Sequence, residues 1–144
     1  MLQPIPYLSF NGNCEEAMQF YEKVLAGQLA PMVRFSDMPC PSDAPAMDPA
    51  RARLVAHARL MLEGGGMLFA GDCPPSIPYE GVKGVSMTIS YDTVEQAQKV
   101  FRDLSEGGKV TMPMGDMFWA QAAGMCLDKY GVSWSVNGAL KPVV

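Results

Sequence analysis

The sequence predicts an α+β chain made of two βαβββ modules that pair into a curved, mostly antiparallel sheet with helices on its convex face. Three observations carry this expectation. The chain repeats itself. Its short apolar segments alternate with period two. Two further segments carry apolar stripes at helical spacing, with terminal signals at both ends. In the repeat, Glu15-Glu16-Ala17 is echoed by Glu95-Gln96-Ala97, Phe20-Tyr21 by Val100-Phe101, Val24 by Leu104 and Gly27 by Gly107. Ser9-Phe10 matches Ser90-Tyr91, and Leu62-Glu63 matches Leu127-Asp128, which sets Gly66 on Gly131 and Phe69 on Trp134. The modules span about 1–72 and 84–138 of a single domain, and the first carries an inserted loop at 38–50 rich in proline.

Each module opens with a short strand, at 3–10 and 84–91. A helix follows at about 14–26 and 94–106. Asn13 is a candidate N-cap for the first helix, with Glu15 and Glu16 in its first turn. Thr93 and Gln96 form a capping box for the second, and Gly27 and Gly107 stand where a helix end favours glycine. Ala17, Phe20, Tyr21 and Val24 form one apolar stripe, and Ala97, Val100, Phe101 and Leu104 the other. Three strands then follow, at about 28–36, 52–62 and 67–72 in the first module and 109–114, 118–127 and 132–138 in the second.

Strand parity divides the sheet into two faces. Val85, Met87, Ile89 and Tyr91 should pack on helices, as should Leu8 and Phe10, Val132, Trp134 and Val136, and Met67, Phe69 and Gly71. The opposite face then collects Tyr7, Ser9, Arg53, Val55, His57, Arg59, Ala70, Asp72, Ser86, Thr88, Ser90, Ser133 and Ser135. A mixed polar face of this kind suits a small-molecule groove, and an ordinary solvated antiparallel face alternates in the same way.

Composition narrows the function classes. In 144 residues, 11 Lys and Arg stand against 15 Asp and Glu, a net charge of −4, which lacks the basic footprint of a nucleic-acid binder. No apolar run reaches the ~18 residues of a membrane span. The start, Met1-Leu2-Gln3-Pro4, carries no signal-like basic and apolar regions, so a cytoplasmic protein is expected. Cys14, Cys40, Cys73 and Cys126 offer no CxxC pair and read as reduced thiols. Twelve methionines fit a soft core or an adaptable pocket. Gly64-Gly65-Gly66 lies between two strands with no following helix, so it reads as a hairpin turn rather than a phosphate loop.

The duplicated order resembles the vicinal oxygen chelate superfamily, which includes glyoxalase I, bleomycin-resistance proteins and extradiol dioxygenases, and more narrowly its PhnB-like branch. The stretches that carry the resemblance run from Pro6-Tyr7-Leu8-Ser9-Phe10 through Glu15-Glu16-Ala17 and Phe20-Tyr21, then His57-Ala58, Gly71-Asp72, Gly107-Gly108-Lys109-Val110, Phe118-Trp119 and Asp128-Lys129-Tyr130-Gly131-Val132-Ser133-Trp134. Domains of this branch also carry a ubiquinone-methyltransferase label, but the chain has no glycine-rich strand-to-helix turn of the kind that binds a nucleotide cofactor. The resemblance implies metal ligands at symmetric places on the first and last strands of each half. In this chain those places fall on Ile5, Ser86, Ala70 and Ser135, none of them a His or a carboxylate. The expectation is therefore a chain without the family's metal and without a cofactor.

The candidate ligand-binding residues are His57, Arg59, Asp72, Tyr7, Ser86, Ser135 and Trp119; catalytic residues are not assigned. With a four-residue turn at 63–66, His57, the sole histidine, would stand opposite Asp72, which could orient its ring. Arg53 and Arg59 would share its face and could hold a carboxylate or phosphonate. Tyr7 and Trp119 could stack on a flat ligand, the face of Trp119 being ambiguous. The leading expectation is a metal-free small-molecule binding protein that forms a homodimer. The alternative is a lyase, an isomerase or a metal-dependent enzyme of the same superfamily.

Overall fold

The computed structural model describes residues 2–39, 47–74 and 76–142. The chain forms two compact units, Met1–Gly81 and Val82–Val144, each containing one module. In the first, strand β1 (Tyr7–Phe10) leads into helix α1 (Cys14–Val24). Two short strands follow, β2 (Gln28–Leu29) and β3 (Val33–Arg34), then helix α2 (Pro49–Arg53), β4 (Val55–Met61) and β5 (Met67–Asp72). The strand expected at 28–36 is thus split. Pro31 interrupts it, having no N–H to give a ladder, and a 3-10 turn at Phe35–Asp37 ends it. The strand expected from 52 begins instead at Val55. Asp48 accepts a bond from the Ala50 N–H and Pro49 opens the helix, a start signal that ends the inserted loop in α2. Cys40 and the core of that loop lie outside the described residues.

The first sheet runs β1-β5-β4-β2, with β3 also pairing β4. β1 lies parallel to β5, and β4 is antiparallel to its neighbours. Leu8, Phe10, Leu68, Ala70, Ala58 and Leu60 make the buried face against α1, which contributes Cys14, Ala17, Met18 and Tyr21. Phe20 and Val24, expected in this core, are only half-buried, and Met18 takes their place.

The second unit holds β6 (Ser86–Tyr91), α3 (Val94–Ser105), β7 (Lys109–Met117), β8 (Ala120–Leu127) and β9 (Ser133–Leu140) in the order β6-β9-β8-β7. Again the first strand pairs in parallel with the last, and the other pairs are antiparallel. Ala97, Val100, Phe101 and Leu104 are buried as the helical stripe predicts, and the Thr93 hydroxyl accepts from the Gln96 N–H. Trp134 and Val136 are buried while Ser133 and Ser135 are half-exposed, so parity holds along β9.

In the first module parity fails on β5. Leu68, Ala70 and Asp72 are buried, and Met67 and Phe69 lie on the other face, the reverse of the sequence reading. The cause is the turn. Met61 pairs with Met67, so five residues rather than four separate the strands. Gly64 and Gly65, both at positive φ, absorb the extra residue. One residue of slip exchanges the two faces of a strand. Phe69 therefore takes the outer-face place equivalent to Ser135, and Ala70 is core; neither side chain can ligate a metal.

Candidate functional site

The outer face of the first sheet is laid out in rows. Tyr7, Phe69 and Arg59 are direct neighbours across β1, β5 and β4. The next row holds Ser9 and Gly71, with His57 beyond them on β4. A cleft of about 420 Å³ opens over this second row, lined by Tyr7, Ser9, Val33, Phe35, His57 and Ile77 among others. Its walls are chiefly apolar.

His57 does not meet the Asp72 carboxylate. The extra turn residue carries His57 past Asp72 and turns the carboxylate toward the helix side. There Asp72 is 6% exposed. One of its oxygens accepts from the N–H groups of Gly12 and Cys14, both at 3.0 Å, and the other from Val55 at 2.9 Å. Asp72, rather than Asn13, satisfies the first turn of α1, and Asn13 makes no side-chain cap bond. Asp72 thus ties the head of α1 to the start of β4, and it also lines the cleft. Arg53 does not share a strand face with His57 either: it belongs to α2, where its guanidinium Nε donates to the Pro49 carbonyl.

His57 has a different partner. Its Nδ1 lies 3.4 Å from the Tyr7 hydroxyl, and that hydroxyl donates to the Ala56 carbonyl at 3.0 Å. Gly71 makes room for this arrangement, since a Cβ there would stand 2.9 Å from the Tyr7 oxygen and 2.8 Å from the Ala56 oxygen. Phe69 packs edge-on against both rings, at 5.0 Å from His57 and 6.4 Å from Tyr7 between centroids. Burial raises the Tyr7 phenol above its usual range, with Cys14 adding to the effect, so Tyr7 keeps its proton. The Cys14 thiol is itself pushed up to about 12 by burial and by Asp72 and Glu15, which makes it inert. Arg59 is exposed, and its guanidinium has no ion pair or hydrogen bond among the described residues.

Sequence reasoning placed Phe69 in the core and missed Val33, Phe35 and Ile77 as cleft residues. Phe69 was misplaced because the turn at 62–66 holds five residues and its three glycines accept either count. For the other three no spacing rule applied.

Ser86, Ser135 and Trp119 belong to the second unit. Ser86 is exposed on β6, and Ser135 is half-exposed on β9 beside Thr88. Trp119 is not in a strand: Met117 pairs with Ala120, so Phe118 and Trp119 form the turn of a hairpin. The Trp119 indole N–H donates to Asn137 Oδ1 at 3.0 Å, and the Asn137 amide donates to Ser90 Oγ at 3.2 Å. These bonds settle the ambiguity left by parity, laying Trp119 over the serine-bearing face. Among the described residues, no three His, Cys, Asp or Glu side chains converge as a metal site. No described helix is long and apolar enough to cross a membrane.

Two βαβββ modules, each closed by a parallel first-to-last strand pair, define a protein of the vicinal oxygen chelate class. The glyoxylase/bleomycin resistance protein/dioxygenase domain from Frankia sp. EAN1pec shares this fold at 10% identity and a TM-score of 0.65 over 95% of this chain and 96% of its own. Within that class the chain belongs to the family described as 3-demethylubiquinone-9 3-methyltransferase, which it matches over residues 3–137. It is 30% identical to the protein YjdN of Escherichia coli K12 over 141 residues, 92% of each chain. Protein PA1353 from Pseudomonas aeruginosa is 43% identical, covering 96% of this chain and 98% of its own, with a TM-score of 0.84. The PhnB protein from Bacillus cereus is 26% identical over 96% of this chain and all of its own, with a TM-score of 0.75.

Proposed function

We propose that the chain is a small-molecule binding protein whose ligand lies in the cleft of the first module without an intervening metal. One observation carries the reading: the hydrogen-bonded His57–Tyr7 pair stands on an otherwise apolar wall of Val33, Phe35 and Ile77. A pocket of that composition holds an apolar body and orients it by a few polar contacts. The ligand class is a flat, partly apolar metabolite. Arg59, one row from His57 and without a protein anion, is suited to a carboxylate or phosphonate on it.

The test is a thermal-shift screen of aromatic and anionic metabolites on protein purified without chelator, with metal analysis of the same sample. A hit whose stabilisation is lost in His57→Ala is expected, together with a loss of stability in that variant below about 1 kcal/mol. Stoichiometric zinc, nickel or iron would overturn the metal-free reading. A loss above about 3 kcal/mol would move His57 from the cleft to the structural framework.

The assembly proposed with this reading is a homodimer. Val33, Met38 and Ile77 leave apolar surface exposed around the cleft, which a second copy could cover. Light scattering at tens of micromolar should give twice the 15.6 kDa chain mass, and a monomer mass removes the assembly.

A further inference from the structure

The three groups on the cleft wall form a chain of hydrogen bonds with only one consistent direction. Ala56 presents a carbonyl oxygen, which can only accept. At 3.0 Å from that oxygen, the Tyr7 hydroxyl must point its single proton at it. Were the phenol proton turned toward His57 instead, two oxygens would face each other at that distance with no proton between them. The Tyr7 oxygen therefore meets His57 Nδ1, 3.4 Å away, with a lone pair. Contact with a lone pair requires Nδ1 to carry the ring proton. In the neutral ring the other nitrogen is then bare. His57 Nε2 has no hydrogen-bond partner among the described residues.

From this geometry we infer that Tyr7 is a positioning residue that locks the neutral His57 ring as the Nδ1–H tautomer, and that in this tautomer Nε2 is a bare acceptor selecting ligands by an O–H or N–H group. The inference rests on the proposed binding site and specifies it: the preferred ligand class is a weak acid such as a phenol, an enol or an amide N–H rather than a purely accepting group. Two neighbours hold the pair, and the phenol keeps its proton. Gly71 lets the Tyr7 hydroxyl reach Ala56, Phe69 buttresses both rings, and the raised Tyr7 pKa keeps the phenol proton in place. A site built around a bare acceptor discriminates strongly, because an analogue without the donor leaves the acceptor desolvated and unpaired.

Because the chain has a single histidine, nitrogen-15 NMR of its ring reports this site alone. In alkaline buffer, where imidazoles are neutral, the spectrum of the full chain should show a protonated Nδ1 and a bare Nε2. In Tyr7→Phe, which keeps the ring and removes the hydroxyl, that preference should be lost. A wild-type spectrum with the proton on Nε2, or an unchanged tautomer in Tyr7→Phe, overturns the assignment; the wild-type measurement decides even if the variant does not fold. A second arm compares 2-naphthol with 2-methoxynaphthalene, which lacks the donor. The naphthol should bind at least about tenfold more tightly and shift Nε2, since one lost hydrogen bond is worth about that factor. Equal affinities, including no binding by either, overturn the ligand class. The tautomer is read without any ligand, so failure of the binding reading in the metabolite screen leaves a separate and distinguishable result.

Discussion

Asp72→Ala should be the most damaging single substitution in the first module, with a loss of about 3–5 kcal/mol in urea denaturation. The carboxylate receives three backbone N–H groups, two at the start of α1 and one at the start of β4. Alanine leaves all three donors without their partner, and two of those bonds are buried. Each orphaned donor costs about 1–3 kcal/mol, and water can recover part of that at Gly12, the least buried of the three. Asp72→Asn should fall between, because the amide offers one oxygen to donors on both sides and turns an NH2 toward the rest. A loss below about 1 kcal/mol for Asp72→Ala would show that the start of α1 is held by something else.

In the second module the comparable site is Trp134. Trp134→Ala should cost about 3–5 kcal/mol, the usual penalty for a buried aromatic. The ring is 3% exposed, and its N–H donates to Asp128 at 2.8 Å. Asp128 also receives the Tyr130 and Val132 N–H groups, so the truncation unbalances the acceptor of a whole turn. Ser135→Ala, the next residue on β9, should cost less than about 1 kcal/mol, since its side chain faces the other way. Paired chemical-denaturation curves check the contrast, and similar losses for the two neighbours would contradict the register of β9. Phe69, half-buried on the outer face, is expected to cost less than Trp134 when truncated.

These two residues also mark where the sequence was legible and where it was not. Alternation alone placed Trp134 against α3 and Ser135 away from it, because β9 pairs continuously with both neighbours. The same rule misplaced Phe69 and Asp72, because the face of β5 depends on how many residues the 62–66 turn absorbs, and three glycines accept either count. The cap on α1 was illegible for another reason: Asp72 lies 58 residues from Cys14, and capping rules read only neighbouring positions. The break at Pro31 and the helix start at Asp48-Pro49 were local signals that alternation outweighed. Of the residues lining the cleft, His57 and Tyr7 could be named from strand parity, but their mutual contact and the apolar wall could not, since both depend on packing between β1, β4 and β5.

The parallel pairing of first strand with last has a consequence for synthesis on the ribosome. Strands β4 and β5 follow one another and can pair as soon as both have emerged. β1 cannot: its partner Phe69 is made 62 residues after Tyr7. Until then β1 lacks the one strand it pairs with among the described residues, and the amide groups at the head of α1 lack the Asp72 carboxylate that receives them. The second module repeats the delay, Ser133 being made 47 residues after Ser86. A nascent chain therefore carries an unpaired leading strand twice, and a chain interrupted before residue 67 leaves the backbone N–H and C=O groups of β1 open to whatever strand edge they meet first.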